Sequence, residues 1–139
     1  MGSRSAQQGL KIRLLPHRLA VCRLKEEEPV PAWALSCAFC SVTRAPGELS
    51  LVCLQASIPP AQAAGMQVQR GFKAFQVEGP LDFALTGVLA GLLAPLAKAG
   101  IPVFVLSTFL TDYLLVREEA AERAAQALSE TAEVLREPD

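Results

Sequence analysis

Two short stretches of the chain carry side chains suited to holding a small polar molecule. The first, Glu78-Gly79-Pro80-Leu81-Asp82, leads into a long apolar segment that begins at Phe83, with Thr86-Gly87-Val88 one turn further on. Asp82 stands where a helix N-cap belongs, since a carboxylate there accepts from N–H groups that the first helical turn leaves without partners. Those same N–H groups, aided by the helix dipole, can instead hold a ligand carboxylate. Gly87 leaves room for something to approach the helix, or for close packing of helix on sheet. The second stretch, Ser107-Thr108-Phe109-Leu110-Thr111-Asp112-Tyr113, crowds hydrogen-bonding side chains into a turn between two apolar runs. A turn chosen for shape alone would use glycine or asparagine. Here Asp112 can accept from an ammonium group, and Ser107 and Thr108 can donate to a carboxylate. A cap at Asp82, and a turn stiffened by its own hydrogen bonds, remain the plain alternatives.

Other chemistry finds little support in the residues. Cys37-Ala-Phe-Cys40 has the spacing of a metal or redox pair, yet no second pair and no histidine stand beside it. A strand over Ser36 to Arg44 would point Cys37 and Cys40 to opposite faces. Cys22, Cys37, Cys40 and Cys53 are therefore expected to be core residues, reduced in a cytoplasmic protein, with no metal and no cofactor. The one histidine, His17, lies between Pro16 and Arg18 and has no partner for catalysis in the sequence. Asp82, Asp112 and Ser107 likewise lack a base, so no catalytic residue is assigned and an enzyme is not expected.

The composition narrows the class. The 139 residues are 51% hydrophobic and 19% charged, with 13 basic against 14 acidic side chains. So apolar a chain can offset its ordering entropy and fold. It lacks the basic excess that phosphate neutralisation needs, and its 6% of aromatics offers few stacking platforms, so nucleic acid is not an expected partner. The most apolar stretch, Phe83 to Leu110, is broken by Pro95, Lys98 and Gly100-Ile101-Pro102, so no membrane span is expected.

The elements that must position these groups follow from periodicity. Leu10 to Leu15, Arg18 to Leu24, Ser36 to Arg44, Leu49 to Gln55 and Gly71 to Glu78 read as strands. Phe83 to Ala99 reads as a buried helix ended by Gly100, followed by a strand over Ile101 to Ser107 and another centred on Leu114-Leu115-Val116. Glu118 to Leu135 reads as a surface helix with Ala121, Ala124, Ala125, Leu128, Ala132 and Leu135 on one face. The second half is then β-α-β-β-α without a visible last strand, and the first half repeats the pattern with its helices shortened to turns. The N-terminal strand is expected to fill the missing place. The fold class is α+β, ferredoxin-like βαββαβ, with two intertwined subdomains expected to form one folding unit: a degraded half over residues 10–70 and a C-terminal one over 71–135.

The segments Glu78 to Phe83, Thr86 to Leu89, Pro95 to Val103 and Ser107 to Val116 resemble ACT domains. They are most like small stand-alone bacterial ACT proteins related to aspartokinase regulatory domains, and similar segments occur in the ACT repeats of the cytosolic arginine sensor of TOR signalling. The likeness extends over roughly Leu10 to Leu128, and the Ser-Thr-Phe-x-Thr-Asp-Tyr run is its most specific part. The resemblance implies a module that binds a free amino acid where two such modules meet, as in a homodimer. Carried over by motif, its ligand contacts are Asp82, Phe83, Thr86, Gly87 and Val88, with Ser107, Thr108, Phe109 and Asp112. Asp112 would take the amino group, and the helix start near Phe83 the carboxylate. The expected function is a non-catalytic sensor that presents a ligand-dependent surface to a separate regulated protein. The alternatives are an interaction module without ligand, or a subunit of an amino-acid biosynthetic enzyme.

Overall fold

A computed structural model describes residues 9–60, 65–78 and 87–136. The chain divides into two compact units, one of His17–Phe72 and the other of the residues up to Pro16 joined with those from Lys73 onward.

In the unit of His17–Phe72, strands β2 (Leu19–Leu24), β3 (Cys40–Ala45), β4 (Glu48–Leu54) and the first part of β5 (Gln67–Val77) run in the order β3-β4-β2-β5. All three pairings are antiparallel. Together with the short helix α1 (Ala32–Leu35) between β2 and β3, this is the strand order of a split βαβ unit. Helix α1 begins just after Pro31 and is one turn long, ending where Ser36 Oγ donates to the Trp33 carbonyl and the Cys37 N–H to the Ala34 carbonyl. Ser36 to Phe39, expected in a strand, are turn residues, and β3 begins only at Cys40. A bulge between Leu19 and Val21 shifts the register against β5, and the Gly71 N–H donates to Gln55 Oε1 at 2.7 Å. Ala20, Cys22, Leu24, Leu49, Leu51 and Cys53 form the core, and all four cysteines are free thiols.

The other unit contains β1 (Lys11–Leu14), the end of β5, β6 (Phe104–Ser107), β7 (Asp112–Arg117) and β8 (Glu133–Arg136), with helices α2 (Val88–Lys98) and α3 (Ala121–Leu128). Its strand order is β8-β1-β5-β7-β6. Strand β1 runs antiparallel to β5, in the place a fourth strand holds in a split βαβ sheet. The last strand is also present, correcting the expectation of its absence. It is β8, parallel to β1 and outside it. Ile12, Leu14, Phe75, Val77, Leu114 and Val116 pack against Leu92 and Leu96 of α2 and Ala124 and Leu128 of α3, so both helices cover one sheet face. Each such leucine fully buried stabilises the fold by about 1.5–3 kcal/mol.

Helix boundaries follow their caps. α2 is described from Val88, with Gly87 in the left-handed region at φ 82 as its N-cap; the expected start at Phe83 lies outside the described residues. It ends in a Schellman motif: the Gly100 N–H donates to Ala97 O at 3.0 Å and the Ile101 N–H to Leu96 O at 2.9 Å, with Ile101 and Leu96 both buried. α3 stops at Leu128, seven residues before the expected end, where Ser129 Oγ turns back on the Gln126 carbonyl. Strand β6 starts at Phe104, just after Pro102 and Val103. Among the described residues, no helix is long and apolar enough to cross a membrane.

Candidate ligand-binding site

The β6–β7 connection is a turn built from its own polar side chains. Ser107 and Asp112 are directly opposite each other in the β6–β7 register, and Thr108 to Thr111 link them. The Thr108 N–H donates to Thr111 O at 2.8 Å, and Thr108 Oγ1 donates to the same oxygen at 2.9 Å. The Thr111 N–H donates to Thr108 Oγ1 at 3.2 Å. Thr111 is 4% exposed, the one buried polar residue among those described, and its hydroxyl donates to the Val77 carbonyl of β5. That bond ties the turn to the end of β5, the strand from which the chain leaves toward α2. The buried hydroxyl is thereby satisfied by a backbone acceptor.

Register and core together orient the site. Leu114 and Val116 point toward the helices, and Val105 packs with them. Side chains alternate along a strand, so Ser107 and Asp112 lie on that same helix-covered face, while Tyr113 lies on the other face and its hydroxyl accepts from Gln76 Nε2 at 3.3 Å. α2 is 11 residues long and its last turn feeds through Gly100 to Val103 into β6, which runs toward the turn. Its first turn therefore lies at the end of the sheet that carries the turn, about 16 Å from its last. The N-cap Gly87 makes no side-chain cap, and the Gly91 N–H donates to the Gly87 carbonyl at 2.8 Å.

Of the residues expected from the sequence, Gly87 and Val88 stand at the start of α2, and Ser107, Thr108, Phe109 and Asp112 at the turn. Asp82, Phe83 and Thr86, with the proposed cap at Asp82, lie outside the described residues. Asp112 is half-buried, whereas Ser107 and Thr108 are exposed. Phe109 and its neighbour Leu110 stand 81% and 60% exposed at the tip. Glu78 pairs with Arg13 of β1 at 3.1 Å, so the acid at the end of β5 is already met by a cation. Thr111 and Arg13 were not singled out from sequence. For Thr111 the signal was its spacing from Thr108, which allows each to satisfy the other across the turn.

Known proteins share the fold that carries this turn. An ACT domain family model matches residues 67–130, and a separate model of an N-terminal domain matches residues 17–61. The X-ray crystal structure of an Agrobacterium tumefaciens protein is 36% identical over 94% of this chain and 96% of its own, with a TM-score of 0.84. A Vibrio cholerae protein of unknown function is 25% identical over 94% of this chain and 98% of its own, at a TM-score of 0.73. The ligand-free regulatory subunit of aspartate kinase from Thermus thermophilus shares the fold, with 13% identity, 86% and 95% of the two chains covered, and a TM-score of 0.60. With the split βαβ order around β5, the turn locked to its end and a family match that spans both, residues 67–130 of the chain belong to the ACT domain family.

Proposed function

We propose that the chain is a non-catalytic regulatory module that binds a free amino acid and acts through an interface between two copies, signalling to a separate protein. One observation carries the reading: the Thr111–Val77 hydrogen bond fixes the Ser107/Asp112 pair at the end of the sheet where α2 begins. A zwitterion needs an anion and a donor set held a few ångströms apart, and the presence of both Asp112 and the start of α2 at this end of the sheet supports the reading. Asp112 takes the ammonium group. The first turn of α2 at Gly87 and Val88, aided by Ser107, takes the carboxylate. The family match supports the regulatory role, and the aspartate kinase regulatory subunit shares the fold that role uses.

A thermal-shift panel of the twenty amino acids, followed by calorimetry, tests it. A ligand that binds only the folded state at a hundred times its Kd stabilises by about 2.7 kcal/mol. Asp112→Asn is expected to weaken binding of the responding amino acid by tenfold or more, since a charge-assisted hydrogen bond is worth about 1.5–3 kcal/mol. No shift with any amino acid at millimolar concentration would sink the proposal. A second reading, an interaction module without ligand, rests on the exposed Phe109 and Leu110 at the same turn. It predicts a dimer by sedimentation whose melting temperature ignores every amino acid.

A further inference from the structure

The fold brings together what the sequence keeps apart. Cys40 lies on β3 directly opposite Cys53 on β4, and Cys53 also touches Cys22 on β2 through a thiol–thiol hydrogen bond. Cys37, at the end of α1, packs on the same core, but its Sγ donates to the Trp33 carbonyl at 3.5 Å. The CxxC spacing therefore does not mark the reactive pair, and the cross-strand neighbours do.

The register says how close they are. Only Pro46 and Gly47 connect β3 to β4, and the closing pair is Ala45 with Glu48. With a two-residue connection the closing pair must exchange backbone hydrogen bonds, and along an antiparallel ladder such pairs alternate with non-hydrogen-bonded ones. Counting back from Ala45, Cys40 and Cys53 form a non-hydrogen-bonded pair, whose Cα atoms stand about 4.5 Å apart with side chains close together. That lies inside the span a disulfide can bridge. Cys22 is diagonal to Cys53, because Ala20 and not Cys22 is its partner on β2. A diagonal pair stands roughly 7–8 Å apart, beyond that span. Access also differs, for Cys40 is half-buried on an edge strand while Cys22 and Cys53 are fully buried.

We propose that Cys40 and Cys53 are a redox pair that forms a reversible disulfide between β3 and β4 when the protein meets a hydroperoxide. The Cys40 sulfur attacks the outer oxygen of hydrogen peroxide, breaking the O–O bond and giving a Cys40 sulfenic acid and one water. The Cys53 sulfur then attacks the Cys40 sulfur, the S–S bond forms, and the hydroxyl leaves with the Cys53 proton as a second water. Two thiols and one peroxide become one disulfide and two waters. Burial raises Cys40 above the usual thiol range, so the first step is slower than at an exposed cysteine. The hydrogen bond from Cys53 lowers Cys22, and Cys22 loses that donor once Cys53 is bridged.

The test uses the full chain, fully reduced and then exposed to hydrogen peroxide. Free thiols are alkylated, the protein is digested without reductant, and the peptides are read by mass spectrometry beside a non-reducing gel. The expected result is loss of two of the four thiols, a monomer-sized band, and one linked peptide joining Cys40 to Cys53 that dithiothreitol separates. Cys40→Ser, a change on the half-buried edge, is expected to abolish the linkage, and Cys22→Ser to leave it intact. Four thiols still alkylated, a link through Cys22 or Cys37, a link between two chains, or only irreversible sulfinic acid would each overturn the proposal. Because the wild-type peptide map decides the pairing, a variant that fails to fold does not rescue it.

Discussion

Thr111 shows how much one hydroxyl can organise. A buried side-chain donor that loses its acceptor costs about 1–3 kcal/mol, and the same holds for an acceptor left behind. Thr111→Val keeps the shape and removes the donor to the Val77 carbonyl, so it is expected to lower stability by about 1–3 kcal/mol in urea unfolding. Thr111→Ser is expected to recover most of that loss, since it restores the donor. If the turn is the ligand site, Thr111→Val also weakens the amino acid found in the thermal-shift panel without touching it. The polar character of the turn was readable from Ser107 to Asp112. The anchoring role of Thr111 was not, because its partner is a backbone carbonyl 34 positions away and carbonyls leave no trace in composition.

At the scale of elements, helix ends decide more than helix interiors. Gly100 was legible as the end of α2, because a residue at φ 74 there is required by the Schellman motif. No atom lies within 4 Å of where a Cβ would sit, so Gly100→Ala pays only for its backbone, about 1 kcal/mol, measurable by chemical unfolding. Pro95 is the opposite case, a residue that removes a bond. It has no N–H for the Gly91 carbonyl, and Thr131 Oγ1 donates there instead at 3.3 Å. Thr131→Val is therefore expected to destabilise the wild type by up to about 1 kcal/mol, and by less in a Pro95→Ala background, where the helix supplies the donor itself. A double-mutant cycle with equal effects in both backgrounds would remove this account. The end of α3 was misread for a simple reason. Ala132 and Leu135 continue the helical spacing of Ala121 to Leu128, so local periodicity alone carries the pattern into β8. What makes Glu133 to Arg136 a strand is β1, and pairing partners are not written in periodicity.

For the whole molecule, β1 is the decisive element. It pairs with β5 on one side and β8 on the other. The sequence suggested that an N-terminal strand would complete the sheet, and β1 takes that place. It did not reveal that β8 would then form outside it. A fragment from Gly71 to Asp139 keeps both helices and loses β1, leaving β5 and β8 with no strand between them. Such a fragment is expected to show no cooperative unfolding transition by circular dichroism, whereas adding a peptide of residues 9–16 in trans is expected to restore one.

That placement also sets an order of events during synthesis. Lys11 pairs with Glu133, 122 positions further along (133 minus 11). A ribosome therefore exposes β1 long before the strand that will flank it exists, and this side of the sheet can close only when Glu133 to Arg136 have left the tunnel. Contacts of such long sequence separation are slow to form. Until then β1 carries an open edge, the kind of edge that recruits other chains. The time taken to translate the stretch between the two strands therefore sets how long that edge stays open.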